Sequence, residues 1–250
     1  MSLLERYRAR AYEFPGTTLA WQLAGRGFES LRLAELPRPE PGPEDVAFRV
    51  DSNSLCFSDI KVVAAGPEHP RLAGYDMARD KVVLGHEIAL TLIAVGPRAL
   101  PSMRLGGRYI VQADLYKYNT AVGYAVWGGM RQYGVFDRRV QEYMIPVGDA
   151  LGYSTASLVE PWACIEASYA RCDLLPGDET FWVLGGGGPM GRMHVLRALA
   201  MKRAGALPAL RHVIVSEPSP ERLDAVGRQL GSAAREAGAE LVLLDPRSRF

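Results

Sequence analysis

Cysteine is scarce in this sequence: Cys56, Cys164 and Cys172 are all it contains. Three thiols do not make a disulfide framework, and the separation of Cys164 and Cys172 suits neither a CxxC redox pair nor a zinc ribbon. An excess of charge of one sign is missing too. The net charge of +1 gives no reason to expect nucleic acid or an acidic surface as partner. No apolar run approaches the roughly 18 residues of a membrane span. Residues 1–10, MSLLERYRAR, carry Glu5 and several arginines around no apolar core, so a secretory signal is not expected there. Internal repeats and low-complexity segments are absent. What is left is an ordinary globular composition, long enough for one large or two medium domains. A reducing, cytoplasmic compartment is expected, with neither nucleic acid nor membrane as partner.

The most informative stretch is Thr180–Gly191, TFWVLGGGGPMG. An apolar run, Phe181 to Leu184, stops at four glycines, followed by Pro189, Met190 and Gly191. Gly186, Gly188 and Gly191 fall at the spacing G-x-G-x-x-G. In such a loop the first glycine makes the turn out of a strand. The second lets the backbone approach a pyrophosphate, and the third lets helix and strand pack closely. Free N–H groups at the helix start then meet the negative charge, and Pro189 suits a first helical turn. Glu217, at the end of the next expected strand, can accept both ribose hydroxyls and repel a 2′-phosphate, which favours NAD over NADP. Arg222 is a candidate to stack on adenine. The alternatives are a ligand-free glycine turn, an exposed Glu217 and a solvated Arg222.

The organisation changes along the chain. Arg10–Leu23, Ser30–Leu36, Val46–Val50, Arg108–Gln112 and Val140–Pro146 read as short strands. Lys81–Val95 is β-prone and interrupted at Gly85-His86-Glu87. LPRPEPGPED, residues 36–45, has four prolines and reads as an extended connector. Residues 51–61 read as a loop that turns helical after Ser58, residues 66–80 as surface loop, and Ala113–Gly134 as a loop or lobe. Ser154–Arg171 then shows helical spacing. It is followed by a strand at 181–184, a helix from Pro189 to about Ala204, a strand His212–Ser216, a helix from Pro220 to about Ala237 and a strand Glu240–Leu244. The expected class is α/β: a β-rich domain over residues 1–153, a connecting helix over 154–172, and half of a doubly wound sheet over 173–250.

Four residues outside the glycine loop could bind metal: Cys56, His86, Glu87 and Glu160. Each lies in a turn or at an element end. Taken singly, Cys56 could be a small buried apolar residue, His86 a core histidine, and Glu160 a carboxylate at a helix start. One sulfur, one imidazole and one carboxylate plus water is nonetheless an open zinc set.

The strings Cys56-Phe57-Ser58-Asp59, Gly85-His86-Glu87, Val159-Glu160-Pro161 and Gly186–Gly191, in this order, resemble the zinc-dependent medium-chain alcohol and polyol dehydrogenases. GHEIALTLIAVG, residues 85–96, is similar to that family's zinc signature. The resemblance implies a GroES-like catalytic domain followed by a Rossmann domain, here partial. It implies that Cys56 and His86 are zinc ligands and that Glu160 takes the third position, as in the sorbitol dehydrogenase branch. Glu87 matches a carboxylate that binds zinc directly in some members and lies behind it in others. Asp59 would hold the His86 ring, and Ser58 would take the substrate's proton. Lys61 stands where some members have a relay histidine. Gly186, Gly188, Pro189, Met190, Gly191, Glu217 and Arg222 would hold NAD. The implied reaction is hydride transfer between NAD and a secondary alcohol or ketone of a polyol, sugar or sugar phosphate, and family members pair into dimers or tetramers.

Two departures accompany the resemblance. Residues 100–140 contain no cysteine, so no structural zinc is expected; Tyr116, Tyr118, Tyr124 and Trp127 are expected to pack that lobe instead. The chain also stops after about three strands of the nucleotide-binding sheet, which reads as a truncation. The rival readings are a zinc-free relative of the quinone-reductase type and a non-catalytic nucleotide-binding fragment.

Overall fold

The computed structural model describes residue 5, residues 13–172 and residues 174–248. It divides into two compact units, Met1–Glu160 and Pro161–Phe250. Among the described residues no helix is long and apolar enough to cross a membrane.

The first unit opens with β1 (Thr17–Leu23) and β2 (Leu31–Pro37), paired antiparallel from Thr17↔Pro37 to Leu23↔Leu31. The part of the expected first strand at residues 10–12 lies outside the described residues. β3 (Val46–Ser54) continues four residues beyond the expected end at Val50. Helix α1 (Phe57–Ala65) begins one residue after Cys56 rather than after Ser58. The cause is local: the Asp59 side chain accepts the Cys56 N–H while the Cys56 side chain receives the third helical N–H, a capping box that fixes the start. The 66–80 segment is not plain loop but carries short helical turns, ending in α2 (Met77–Asp80).

β4 (Val82–Val83) joins β1 to complete a three-stranded sheet. Next come β5 (Glu87–Val95), β6 (Arg108–Val111), a two-residue hairpin of β7 (Asp114–Leu115) and β8 (Thr120–Ala121), and β9 (Tyr133–Phe136). Val140–Pro146, expected as one strand, splits into α3 (Arg138–Gln141) and β10 (Met144–Pro146). The Asp137 carboxylate accepts the N–H groups of Arg139 and Val140 and so nucleates a helical turn where apolar alternation alone suggests β. Strands β10-β6-β5-β3-β9 form one antiparallel sheet. Its core holds Phe48, Ile88, Leu90, Leu92 and Phe136, with the Phe48 and Phe136 rings 4.3 Å apart.

The expected helix at 154–171 is two: α4 (Tyr153–Ser157) and α5 (Val159–Tyr169). The second unit then alternates β11 (Thr180–Leu184), α6 (Pro189–Arg203), β12 (His212–Ser216), α7 (Pro220–Glu236) and β13 (Glu240–Leu244). The three strands are parallel in the order β11-β12-β13, as helical crossovers require. Val183, Val195, Leu199, Val213, Val215, Val226 and Leu230 fill the space between sheet and helices.

The four aromatic residues expected to pack one lobe do not form one cluster. Tyr118 packs against the five-stranded sheet's core and Tyr124 against a different one, around Leu72, Met77 and Leu84. Trp127 donates its indole N–H to the Lys81 carbonyl at 3.2 Å, and Tyr116 is exposed.

Candidate active site

In the first unit, sheet register brings distant residues together. β3 pairs with β5 through Ser54↔Glu87, so the chain leaving β3 toward Cys56 passes beside the His86 turn. Ligand atoms of Cys56, His86 and Glu87 all lie within 4.8 Å of one another. His86 and Glu87 are buried, at 7% and 4% exposure. Glu160, the second residue of α5, is not a member of that trio.

Asp59 ties the two segments. Its Oδ2 accepts the Cys56 N–H at 3.1 Å and its Oδ1 accepts the Gly85 N–H at 3.2 Å. The same Oδ1 lies 3.4 Å from His86 Nδ1, an ion-pair separation without hydrogen-bond alignment, since Nδ1 is buried with no hydrogen-bond partner. Gly85 has φ +92°, and a Cβ there would stand 2.5 Å from Asn53 Oδ1. Only glycine makes this turn.

The electrostatics at Cys56 run in the thiolate's direction. The His86 imidazole draws the Cys56 thiol below its ordinary value, against the opposing effect of burial and with help from Ser58. Burial pulls His86 down, but Asp59 and Cys56 outweigh it and push the imidazole up to about 10. Burial raises Glu87, against Cys56 and His86. Burial likewise raises Glu160, with His86 acting in the opposite direction. A sulfur, an imidazole and a buried carboxylate match the donor set of an open zinc site. The residues therefore fit that metal.

Ser58 Oγ lies 3.5 Å from Cys56 Sγ. Lys61 is exposed, with its Nζ 5.7 Å from the Phe57 ring. Tyr124 is the residue that sequence reasoning left among lobe packing. It is buried, with its ring 6.1 Å from that of His86 and 5.4 Å from that of His69. Burial raises its phenol, and the Arg71 guanidinium works the other way. The signal for it is glycine. Gly128 N–H donates to Val83 O and Gly129 N–H to Gly85 O, and a Cβ at Gly128 would meet Gly85 O at 2.0 Å. The glycines at 123, 128 and 129 let this segment lie against the His86 turn and carry Tyr124 with it.

In the second unit the glycine loop joins β11 to α6. A Cβ on Gly191 would stand 2.4 Å from Gly186 Cα, whereas one on Gly188 would meet nothing within 4 Å. The first condition is close packing; the second leaves open space against the backbone. Gly188 caps α6 with no side-chain hydrogen bond, and Pro189 and Met190 open the helix. Glu217 sits just past β12, buried at 5% exposure. Its Oε2 accepts the Gly187 N–H and its Oε1 the Ser219 N–H, each at 3.0 Å. Arg222 is exposed, its backbone N–H donating to Ser219 Oγ at 3.4 Å. A helix N-terminus without a side-chain cap, next to a glycine with open space, fits a dinucleotide's phosphates.

No family model matches the chain. Among curated proteins it is 27% identical over 231 residues to a sorbitol dehydrogenase of Bombyx mori, covering 87% of this chain and 60% of that protein. It is 31% identical over 202 residues to an L-sorbose 1-phosphate reductase of Klebsiella pneumoniae, covering 73% and 48%. Among solved structures it superposes on 2R,3R-butanediol dehydrogenase from Bacillus subtilis with a TM-score of 0.70 at 23% identity, over 93% of this chain and 64% of that one. A cobalt- and zinc-bound thermostable alcohol dehydrogenase from Pyrobaculum aerophilum gives 0.67 at 20%, over 91% and 65%. The fold is thus α/β, a GroES-like unit followed by part of a Rossmann unit. In sequence and fold the chain matches the medium-chain polyol dehydrogenase family. It spans roughly half of the length of the curated relatives named here, 60% and 48%.

Proposed function

We propose that the chain carries the zinc-binding and dinucleotide-binding parts of an NAD-dependent oxidoreductase acting on a secondary alcohol or ketone of a polyol, sugar or sugar phosphate. The observation that carries this reading is the convergence of Cys56, His86 and Glu87. These three would hold zinc, and Glu160 is the carboxylate able to join them. Zinc, when bound, supplies a Lewis acid for the substrate oxygen, and NAD supplies the hydride acceptor. The protein's own residues do the rest. Asp59 keeps the Cys56 and Gly85–His86 segments in register through two backbone N–H groups. Ser58, whose Oγ lies 3.5 Å from Cys56 Sγ, receives the alcohol proton. In the second unit, the N-terminus of α6 takes the pyrophosphate. Glu217, anchored by two N–H groups, keeps lone pairs for the ribose hydroxyls and disfavours a 2′-phosphate. We place this chemistry in the cytoplasm, where the Cys56 thiol stays reduced for metal binding.

Elemental analysis of the purified protein tests the reading. About one zinc per chain is expected, lost in Cys56→Ser and in His86→Gln, with calorimetric binding of NAD retained in both. A folded protein that takes up no zinc, even on addition, overturns it.

A further inference from the structure

Ser157, the last residue of α4, is buried at 1% exposure, and its hydroxyl meets partners on two elements. It donates to the Ser154 carbonyl at 2.9 Å and lies 2.8 Å from Ser54 Oγ and 3.2 Å from Ser52 Oγ. We infer that this hydroxyl node makes Ser157 a positioning residue: it fixes the turn carrying Glu160 against the segment carrying Cys56, so that the Glu160 carboxylate can join Cys56, His86 and Glu87 on one metal ion. The inference rests on the reading of those three residues as a metal centre.

The direction of each bond follows from the proton count. A serine hydroxyl has one proton and two lone pairs. The Ser154 carbonyl can only accept, so it takes the Ser157 proton. Ser52 and Ser54 must then both donate to Ser157 Oγ, which fills its lone pairs. The node is complete, and removing its central oxygen strands two donors.

Strand geometry supplies the two donors. Ser52 and Ser54 are alternate residues of β3 and point to one face of the sheet. Asn53, between them, faces the Gly85 turn instead, where a Cβ would stand 2.5 Å from its Oδ1. α4 lies on the serine face, with Ala156 packed on Ala89 and Ile110. Such apolar contacts are non-directional and leave the helix free to rotate. The bonds to Ser157 have a preferred direction and remove that freedom.

Each side of the node adjoins a donor. Ser54 is separated from Cys56 by Leu55 alone, and its backbone pairs with Glu87. Ser157 is separated from Glu160 by Leu158 and Val159, where α4 ends and α5 begins. That helical step covers about 4.5 Å along the axis, too short to absorb a shift at Ser157. Glu160 already lies in the trio's field: burial raises its carboxyl, while His86 and Glu87 act on it with opposite signs. It stands outside the trio itself, so its reach to a shared ion depends on how this turn is held.

Cobalt(II), added in place of zinc, makes the metal visible, and hydrogen exchange of the metal-free protein gives an independent readout. In the wild type a sulfur-to-cobalt charge-transfer band reports Cys56, and the d–d bands report the remaining ligands. Ser157→Ala is expected to keep the charge-transfer band, to shift the d–d bands as Glu160→Gln does, and to weaken cobalt binding about tenfold. Adding Ser157→Ala to Glu160→Gln costs less than about twofold more, because the serine acts through that carboxylate. Ser52→Ala combined with Ser54→Ala empties the node from the strand side. It gives the same d–d shift, which keeps the test decisive if the helix variant folds poorly. Without metal, Ser157→Ala quickens exchange about fivefold or more over both 52–56 and 157–161, whereas helix fraying alone touches only the second segment. Wild-type d–d bands in both node variants, or a fully additive loss in the double variant, overturn the inference. Cobalt uptake separates it from the reading it rests on. No uptake by the wild type, with exchange quickened in both segments, overturns the metal reading and leaves the node standing. No uptake with exchange quickened in neither or only in 157–161 overturns both, and bound cobalt with unmoved spectra overturns the node alone.

Discussion

Asp59 shows how one side chain can hold a site whose parts are far apart in sequence. It is buried at 4% exposure and braces two backbone N–H groups while facing the imidazole that carries a donor nitrogen. Replacing it with alanine leaves the Gly85 N–H buried without its acceptor, at a cost of about 1–3 kcal/mol. It also frees the His86 ring. We expect Asp59→Ala to weaken zinc binding by about 10- to 100-fold, read by competition with a chromophoric chelator. Ser58→Ala, which removes no brace, leaves that affinity within about threefold. Equal zinc affinity in Asp59→Ala and the wild type would show that the ligand segments hold their register without it.

At the scale of elements, the two glycines of the nucleotide loop make opposite demands. Gly191→Ala pushes a methyl into Gly186 backbone, so the loop must open. We expect both a lower melting temperature, by several degrees for a loss of about 1–3 kcal/mol, and lost NAD binding. Gly188→Ala projects its methyl into open space. Stability should hold while calorimetric NAD affinity falls, since the backbone can no longer approach the pyrophosphate. Stability lost equally in both would contradict the packing distinction.

The same elements explain what could be read in advance. The strands at 180–184, 212–216 and 240–244 are short apolar runs between clear helix signals, and parallel strands joined by helical crossovers take that form. Val140–Pro146 could not be read so, because its alternation is overridden by the Asp137 cap. Cys56, His86 and Glu87 are visible as donors by residue type alone. Their meeting depends on the Ser54↔Glu87 register, a long-range fact that periodicity does not encode. Tyr124 was still less accessible. Its place beside His86 follows from Gly128 and Gly129 pairing with Val83 and Gly85, far upstream in the chain.

For the whole molecule, the consequence is a division of ligands between two units. The proposed zinc donors Cys56, His86 and Glu87 all belong to Met1–Glu160, and the proposed NAD contacts, the glycine loop, Glu217 and Arg222, to Pro161–Phe250. A ligand that binds only the folded form stabilises the segments that hold it and slows their opening. Hydrogen exchange followed by mass spectrometry reads this segment by segment. Zinc added to metal-free protein should slow exchange over residues 51–59 and 82–90, where Asp59 accepts the Cys56 and Gly85 N–H groups. NAD should slow exchange over 184–192 and 216–222, where the α6 N-terminus and the Glu217 contacts lie. In Cys56→Ser the zinc effect should vanish and the NAD effect persist. Zinc protection appearing in the glycine loop, or absent from residues 82–90, would contradict the assignment of the metal to the first unit and require a different set of donors.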